Sequence, residues 1–238
     1  MRDASTLPAA GLVCITKVFL CVDKFRAIQD RLDGSLVSLE CLNAEDHAAT
    51  LGNAICGPAN EDLWRFLPLK PMSDFDEFTA EVEQWSRRYG RKTYAVCCAR
   101  TSVAMGTLSL MRMRTEHLSL EVGNIVFGSG LQRTRAATEA IFILAQHLFD
   151  DVGIRRFEWK CDARNERSRK AAMRFGFQFE GVFRKDMIVK GENRDTAWYA
   201  MTDDDWHNVE PAFQAWLSVD NFDENGTQKA SLTSLMKG

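Results

Sequence analysis

FGSGLQRTRAATEAIFIL, residues 127–144, is the stretch on which the fold turns. Gly128, Ser129 and Gly130 end the apolar run Leu118 to Phe127. From Ala136 to Phe149 the residues Ala137, Ala140, Ile141, Leu144, Ala145 and Leu148 then recur at helical spacing. A strand that gives way to a glycine-containing loop and then a helix presents free backbone N–H groups and a positive dipole end to an anion. A phosphate suits such a corner. Many helices begin after glycines without binding anything, so the reading needs support from the flanking segments.

Downstream, Arg156 to Cys161 alternates with Phe157, Trp159 and Cys161 on one face, so strand, helix and strand make a βαβ unit. A second helix begins at Asn165 and stops at Gly176, a residue suited to the left-handed turn that ends a helix. Strand runs Phe179 to Val189 and Thr196 to Met201 follow, with Lys190 to Arg194 as the turn between them. Thr202 and Asp205 cap a last helix carrying Trp206, Val209, Phe213, Trp216 and Leu217, and the polar tail from Asp220 is expected to be loose.

Upstream, Leu36 to Leu42 alternates as a half-buried strand, and Asn43 with Asp46 caps a short helix. Gly57 to Pro71 lacks a period and reads as an aromatic-rich loop. Ser73 and Asp76 form a capping box for a helix with Phe75, Phe78, Val82 and Trp85 on one face, ending near Gly90. Thr93 to Cys98, Met105 to Met111 and Leu118 to Phe127 are strands joined by short polar links, as in an antiparallel meander.

A chain of 238 residues accommodates one sizeable core. The expected division is an N-terminal extension (1–30), one domain (31–219) and a C-terminal tail (220–238). A net charge of −3 excludes a surface built wholly for nucleic acid, and RNA is the lowest-ranked partner. The seven cysteines contain no Cys-x-x-Cys pair and no zinc spacing, so no metal is expected and a reducing compartment is. The apolar run Gly11 to Val22 imitates a secretory signal, but Lys17 interrupts it and Asp23, Lys24 and Arg26 follow where a cleavage site would need small residues. A cytoplasmic protein without membrane association is expected. The Asn225-Gly226-Thr227 sequon is then a chance match. His47, His117, His147 and His207 match no motif and read as surface or capping residues.

Taken in order, FGSGLQRTRAATEAIFIL (127–144), RRFEWKCDARNERSRKAAMRFGFQFEGVFR (155–184) and KGENRDTAWYAM (190–201) closely resemble the ribosomal-protein-acetylating, RimJ/RimL-like branch of the GNAT N-acetyltransferases. Leu32 to Leu42 and Trp64 to Pro71 resemble that branch's opening. The resemblance implies an α+β GNAT fold: a mixed, mostly antiparallel sheet of about seven strands with helices on both faces. It implies an acetyl-coenzyme A-dependent N-acyltransferase, acetyl-CoA being a co-substrate, that moves an acetyl group to a primary amine.

The family's phosphate loop, Gln/Arg-x-x-Gly-x-Gly/Ala, falls on Gln132-x-x-Arg135-x-Ala137, within a coenzyme-binding stretch of Gln132, Arg133, Thr134, Arg135, Ala136, Ala137 and Thr138. Arg135 departs from the pattern where a glycine normally lets a pyrophosphate approach the backbone, so it must either point away or supply charge. In the relatives, the strand before the loop holds the pantetheine arm and polarises the thioester carbonyl through its amides; here that is Asn124 to Phe127, with Ile125, Val126 and Phe127 as coenzyme contacts. Asn165 and Ser168 match a helix start that supplies a coenzyme-binding Asn and a hydroxyl near the thiol sulfur, which would protonate the leaving thiolate. Asn165 could equally be a plain helix cap.

Attack requires a neutral amine, and Glu121 is the candidate base, with Asp162 second. A carboxylate on a strand is ordinarily a solvated residue or an ion-pair partner. Arg164, Arg167, Arg169, Lys170 and Arg174 form a basic helix surface that could draw in coenzyme phosphates or simply be solvated. The resemblance places the acceptor near Trp64, Phe66, Leu67 and the Lys190 to Arg194 turn, with Trp64, Phe66, Glu121 and Asp162 as substrate contacts; a place in the core suits the aromatic residues equally. The acceptor would be a peptide N-terminus or a small amine, handled by a monomer or homodimer. The alternative is a non-catalytic GNAT-like module that binds acyl-CoA or a partner protein, and Arg135 is its best support.

Overall fold

The computed structural model describes residues 24–72, 77, 78, 80, 81, 84 and 91–237. Most of the N-terminal extension and the Ser73/Asp76 capping box, with Phe75, Val82, Trp85 and Gly90, lie outside the described residues; within that stretch 77, 78, 80, 81 and 84 are helical.

In chain order the strands are β1 (Arg31–Asp33), β2 (Val37–Cys41), β3 (Lys92–Cys98), β4 (Ala104–Arg114), β5 (Ser119–Phe127), β6 (Arg156–Asp162), β7 (Gln178–Val189) and β8 (Glu192–Thr202). The helices are α1 (Ala44–Ile55), α2 (Arg135–Gln146), α3 (Glu166–Arg174), α4 (Asp203–Leu217) and α5 (Leu232–Leu235). A 3-10 helix spans Pro58–Trp64, and α2 runs on into a π-helical turn, His147–Val152. One sheet orders the strands β1-β2-β3-β4-β5-β6-β8-β7. Every neighbouring pair is antiparallel except β5 and β6, which are parallel as the intervening α2 requires.

Helices cover both faces, so the inner strands are apolar on both sides. Along β3, Tyr94 and Val96 enter one core while Ala95 and Cys97 enter the other. The larger core lies under α2, α3 and α4 and is filled by stacked rings: Phe142 with Phe213 at 5.4 Å, Phe149 with Trp206 at 5.2 Å, Trp159 with Phe177 at 5.5 Å. The smaller packs α1 and the 3-10 helix, through Leu51, Ile55 and Trp64, onto Ala95, Cys97 and Val126. Gly176 closes α3 at φ 89°, and a Cβ there would sit 2.8 Å from Val209 of α4, so both backbone sign and space demand glycine.

The expected seven strands occur, with β1 added as an eighth, a three-residue edge too short to show a period. Its turn into β2 is fixed by α2: the Glu139 carboxylate accepts from the N–H groups of Ser35 (3.1 Å), Leu36 (2.6 Å) and Val37 (2.9 Å). The tail expected to be loose is ordered instead. Asn221 is buried and donates to the carbonyls of Trp216 and Ala230, Trp216 donates to Gln228, and Leu232 reaches the main core. Few apolar residues do this, which is why the composition reads as polar. Two of the histidines read as surface groups are buried: His47, and His147, which accepts from the Gln29 N–H and lies 2.7 Å from Asp151.

Candidate active site

β5 and β6 are joined by only four paired positions, Ser119 to Val122 against Arg156 to Trp159. From Gly123 onward β5 pairs only with β4, and from Lys160 onward β6 pairs only with β8. The strands therefore part, leaving a notch in the middle of the sheet. A bulge sharpens it: Thr107 faces Val126 and Ser109 faces Gly123, so Asn124 (φ 47°) and Ile125 share one opposing residue. Gly106 permits the close approach of β4, since a Cβ there would lie 2.6 Å from the Val126 carbonyl oxygen. The edge of Asn124 to Phe127 toward β6, which includes Ile125, Val126 and Phe127, thus has no strand beside it.

β5 feeds directly into the loop before α2. Gln132 donates to the Phe127 carbonyl (2.7 Å), and Arg133 stands at φ 60°. Thr134 caps α2 by accepting from the Ala137 N–H, while the N–H groups of Arg135 and Ala136 find no acceptor among the described residues. Thr138 is buried and accepts from Arg174 through its hydroxyl. Arg135 turns away from the loop: its guanidinium donates to the Leu217 carbonyl (2.7 Å) and lies 4.2 Å from the Phe222 ring centroid. Of the two possibilities left open for Arg135, the geometry selects the first. Its backbone stays free for an anion while its side chain braces α4.

The other wall of the notch is the start of α3. Asn165 is the cap, its Oδ1 accepting from the Ser168 N–H (3.1 Å). The Ser168 hydroxyl accepts from the Trp159 indole (2.9 Å), which occupies a lone pair and leaves its own proton to donate. The sequence did not single out Trp159 as the residue that holds Ser168. Cys161 lies beside that hydroxyl with its thiol pushed up, chiefly by burial.

Glu121 reaches the notch from the opposite face, the side of α1. It is buried, 3.2 Å from Lys160 Nζ and 3.3 Å from Arg112 Nε. Burial raises its carboxyl above the ordinary value despite the opposing pull of Lys160 and Arg112. Lys160, whose side chain is 5% exposed, also sits 2.9 Å from Glu158 and 3.5 Å over the Trp198 ring. Burial disfavours the Glu158 anion, but hydrogen bonds from Arg156 and Lys160 and the nearby Arg114 outweigh it and hold the carboxyl low. Sequence reading missed Lys160 and Arg112. The signal was there, since Glu158 and Lys160 alternate with the apolar face of β6 and Glu158 faces Glu121 in the parallel register.

Three sequence expectations fare differently. Trp64 is 1% exposed, its indole donating to the Ile55 carbonyl (2.8 Å); it is a core residue rather than an acceptor contact. Phe66 is half-buried beneath the Arg65 guanidinium. Asp162 is buried, which opposes its charged form, but the Arg164 side chain (3.1 and 2.9 Å) and N–H (2.8 Å) outweigh this and hold its carboxyl below the usual range, so it is a poor base. The basic surface of α3 is largely engaged within the protein: Arg167 with Asp62 (3.1 Å), Arg169 with the Tyr199 hydroxyl (3.1 Å), and Arg174, half-buried, beside Trp216. A cavity of about 590 Å³ bordered by Arg114, Arg156, Glu180 and Phe183 lies at the start of β5 and β6, away from the notch.

Residues 38–178 match the family model described as an acetyltransferase (GNAT) domain, more than half of the chain. The chain belongs to the GNAT acetyltransferase family. A GCN5-related N-acetyltransferase from Brucella melitensis is 38% identical, with a TM-score of 0.84 over 87% of this chain and 94% of that one. A structure from Chromobacterium violaceum ATCC 12472, described as a probable acetyltransferase of the GNAT family, is 35% identical with a TM-score of 0.71, covering 87% of this chain and 93% of its own. The uncharacterized N-acetyltransferase YoaA of Bacillus subtilis (strain 168) is 23% identical over 146 residues, 60% of this chain and 82% of YoaA. The expected GNAT fold is thereby established, and no described helix is long and apolar enough to cross a membrane.

Proposed function

We propose that this GNAT chain transfers the acetyl group of acetyl-CoA to a primary amine, a protein N-terminus or a small-molecule amine, by direct attack in a ternary complex. The observation that carries this reading is the notch: an open β5 edge leading into a helix start whose first N–H groups are unclaimed. Those groups, with Gln132, Arg133, Thr134, Ala136 and Ala137 around them, suit a diphosphate. The edge of Ile125 to Phe127 suits an extended amide-bearing arm. Acetyl-CoA supplies an activated thioester, and everything else is done by this chain.

Backbone N–H groups on the β5 edge stabilise negative charge developing on the thioester oxygen. Glu121, buried and raised in pKa, accepts the proton of the attacking amine directly or through one water. As the C–S bond breaks, the Ser168 hydroxyl, oriented by Trp159, gives its proton to the departing sulfur and takes one from solvent, while Glu121 returns the amine's proton to solvent. No side-chain nucleophile is needed. The RimJ/RimL-like branch and an amine acceptor belong to the same proposal and rest on the sequence resemblance; a cytoplasmic setting belongs to it too and rests on the scattered cysteines and the interrupted apolar run Gly11 to Val22.

Calorimetry with acetyl-CoA, followed by thiol release against a panel of peptide and small amines, tests it. Binding with amine-dependent thiol release is expected. Binding without release to any amine would favour the non-catalytic module, and indifference to millimolar coenzyme would remove the assignment altogether.

A further inference from the structure

Away from the notch, three side chains from three elements converge where α1 lies on the sheet. Glu40 of β2, His47 of α1 and Cys97 of β3 each place one ligand-type atom within 4.8 Å of the other two. His47 is 3% exposed and Cys97 1% exposed, and the His47 Nε2 atom is buried without a hydrogen-bond partner. A buried imidazole nitrogen ordinarily finds a partner, so an orphan aimed at a thiol and a carboxylate needs a reason. We propose that Glu40, His47 and Cys97 form a binding site for a zinc-like divalent ion, through Oε2, Nε2 and Sγ.

The surroundings of each ligand match what metal ligands require. His47 Nδ1 lies 3.1 Å from the Asn43 carbonyl and 3.2 Å from the Asn43 N–H. Ligation through Nε2 selects the tautomer in which Nδ1–H donates to the carbonyl, the usual outer partner of a metal-bound histidine. Glu40 Oε1 is held by the Ser38 hydroxyl (2.8 Å) and Arg31 (2.9 Å), which leaves Oε2, 3.5 Å from His47 Nε2, facing inward. Arg31 is 57% exposed and marks the solvent side from which an ion enters. Sulfur, imidazole and carboxylate donors in a compact set favour a tetrahedral ion of zinc type over magnesium or calcium, with water as fourth ligand. Binding releases the Cys97 thiol proton to solvent. The expectation of no zinc site rested on local cysteine spacing, whereas these ligands lie far apart in sequence and meet only through the β2–β3 pairing and α1.

Cobalt(II) titration of the purified full chain, stripped of metal, tests the site because a thiolate–cobalt bond absorbs in the near ultraviolet. One equivalent producing that band is expected, unchanged in Cys98→Ser and lost in Cys97→Ser and His47→Gln. Ser38→Ala should weaken affinity by about 10–100-fold. No band in the wild type, or a band that persists in Cys97→Ser, would overturn the proposal. Should the ligand variants not fold, zinc X-ray absorption of the wild type decides: one sulfur among lighter neighbours supports the site, while none, or two and more, refutes it.

Discussion

Ser168 and Glu121 stand on opposite faces of one sheet, flanking the place where β5 and β6 part. The proposed transfer gives them different halves of a proton movement, and each half can be removed alone. Ser168→Ala keeps the Asn165 cap, which uses the backbone N–H of that position, and should lower kcat by roughly 10²-fold with coenzyme affinity little changed. Steady-state thiol release beside calorimetry measures both. Glu121 must be ionised to act as base, so its rate should fall as pH drops through a carboxyl value raised by burial, placing the acid limb above the ordinary carboxylate range. Glu121→Gln should erase that limb and cost roughly 10²-fold or more where the wild type is ionised. A profile of unchanged shape would transfer the role to water, since Asp162 is tied to Arg164.

At the scale of the element, β6 is amphipathic without being exposed, carrying rings on one face and a closed ionic cluster on the other. Lys160→Met should cost about 3–5 kcal/mol in urea unfolding, because it removes the one cation that Glu121 and Glu158 share and leaves them only the more exposed Arg112, Arg114 and Arg156. The two carboxyls also pull stability in opposite senses. Glu158 is held low, so its contribution is present above the ordinary carboxyl value and is lost as pH falls through its depressed value. Glu121 is raised, so the folded state gains as pH falls from neutral through its raised value. On α2, Glu139→Ala should cost on the order of 1–3 kcal/mol by leaving the Ser35 to Val37 amides without their acceptor. Elements of this kind were legible from the sequence: the capped starts at Asn43, Thr202 and Asn165 and the 3.6-residue period of α2 are local properties, and all occur. The parting of β5 from β6 has no local signature in the sequence, and the direction of Arg135, the burial of Trp64 and the Glu121–Lys160 contact depend on partners 9 to 82 residues away.

For the molecule as a whole, the decisive contact is the one between the start of α2 and the C-terminal segment. Arg135→Ala should lower the melting temperature, by removing the Leu217 bond and the Phe222 contact, while leaving acetyl-CoA affinity within about threefold, because it is the backbone of that position that faces the loop. A large loss of affinity would mean that the guanidinium itself meets phosphate. The departure from the family pattern is then a structural exchange, with the loop surrendering a glycine and gaining an anchor on α4.

That anchor imposes an order of events during translation. Leu217 and Phe222 leave the ribosome long after Arg135, so α2 and the loop before it are made without the partners that hold them, and about 80–90 residues, several seconds of synthesis, separate the two. The nascent protein can assemble its sheet as far as β6 during that interval, but the start of α2 gains its brace only when the last quarter of the polypeptide has been threaded out and folded back.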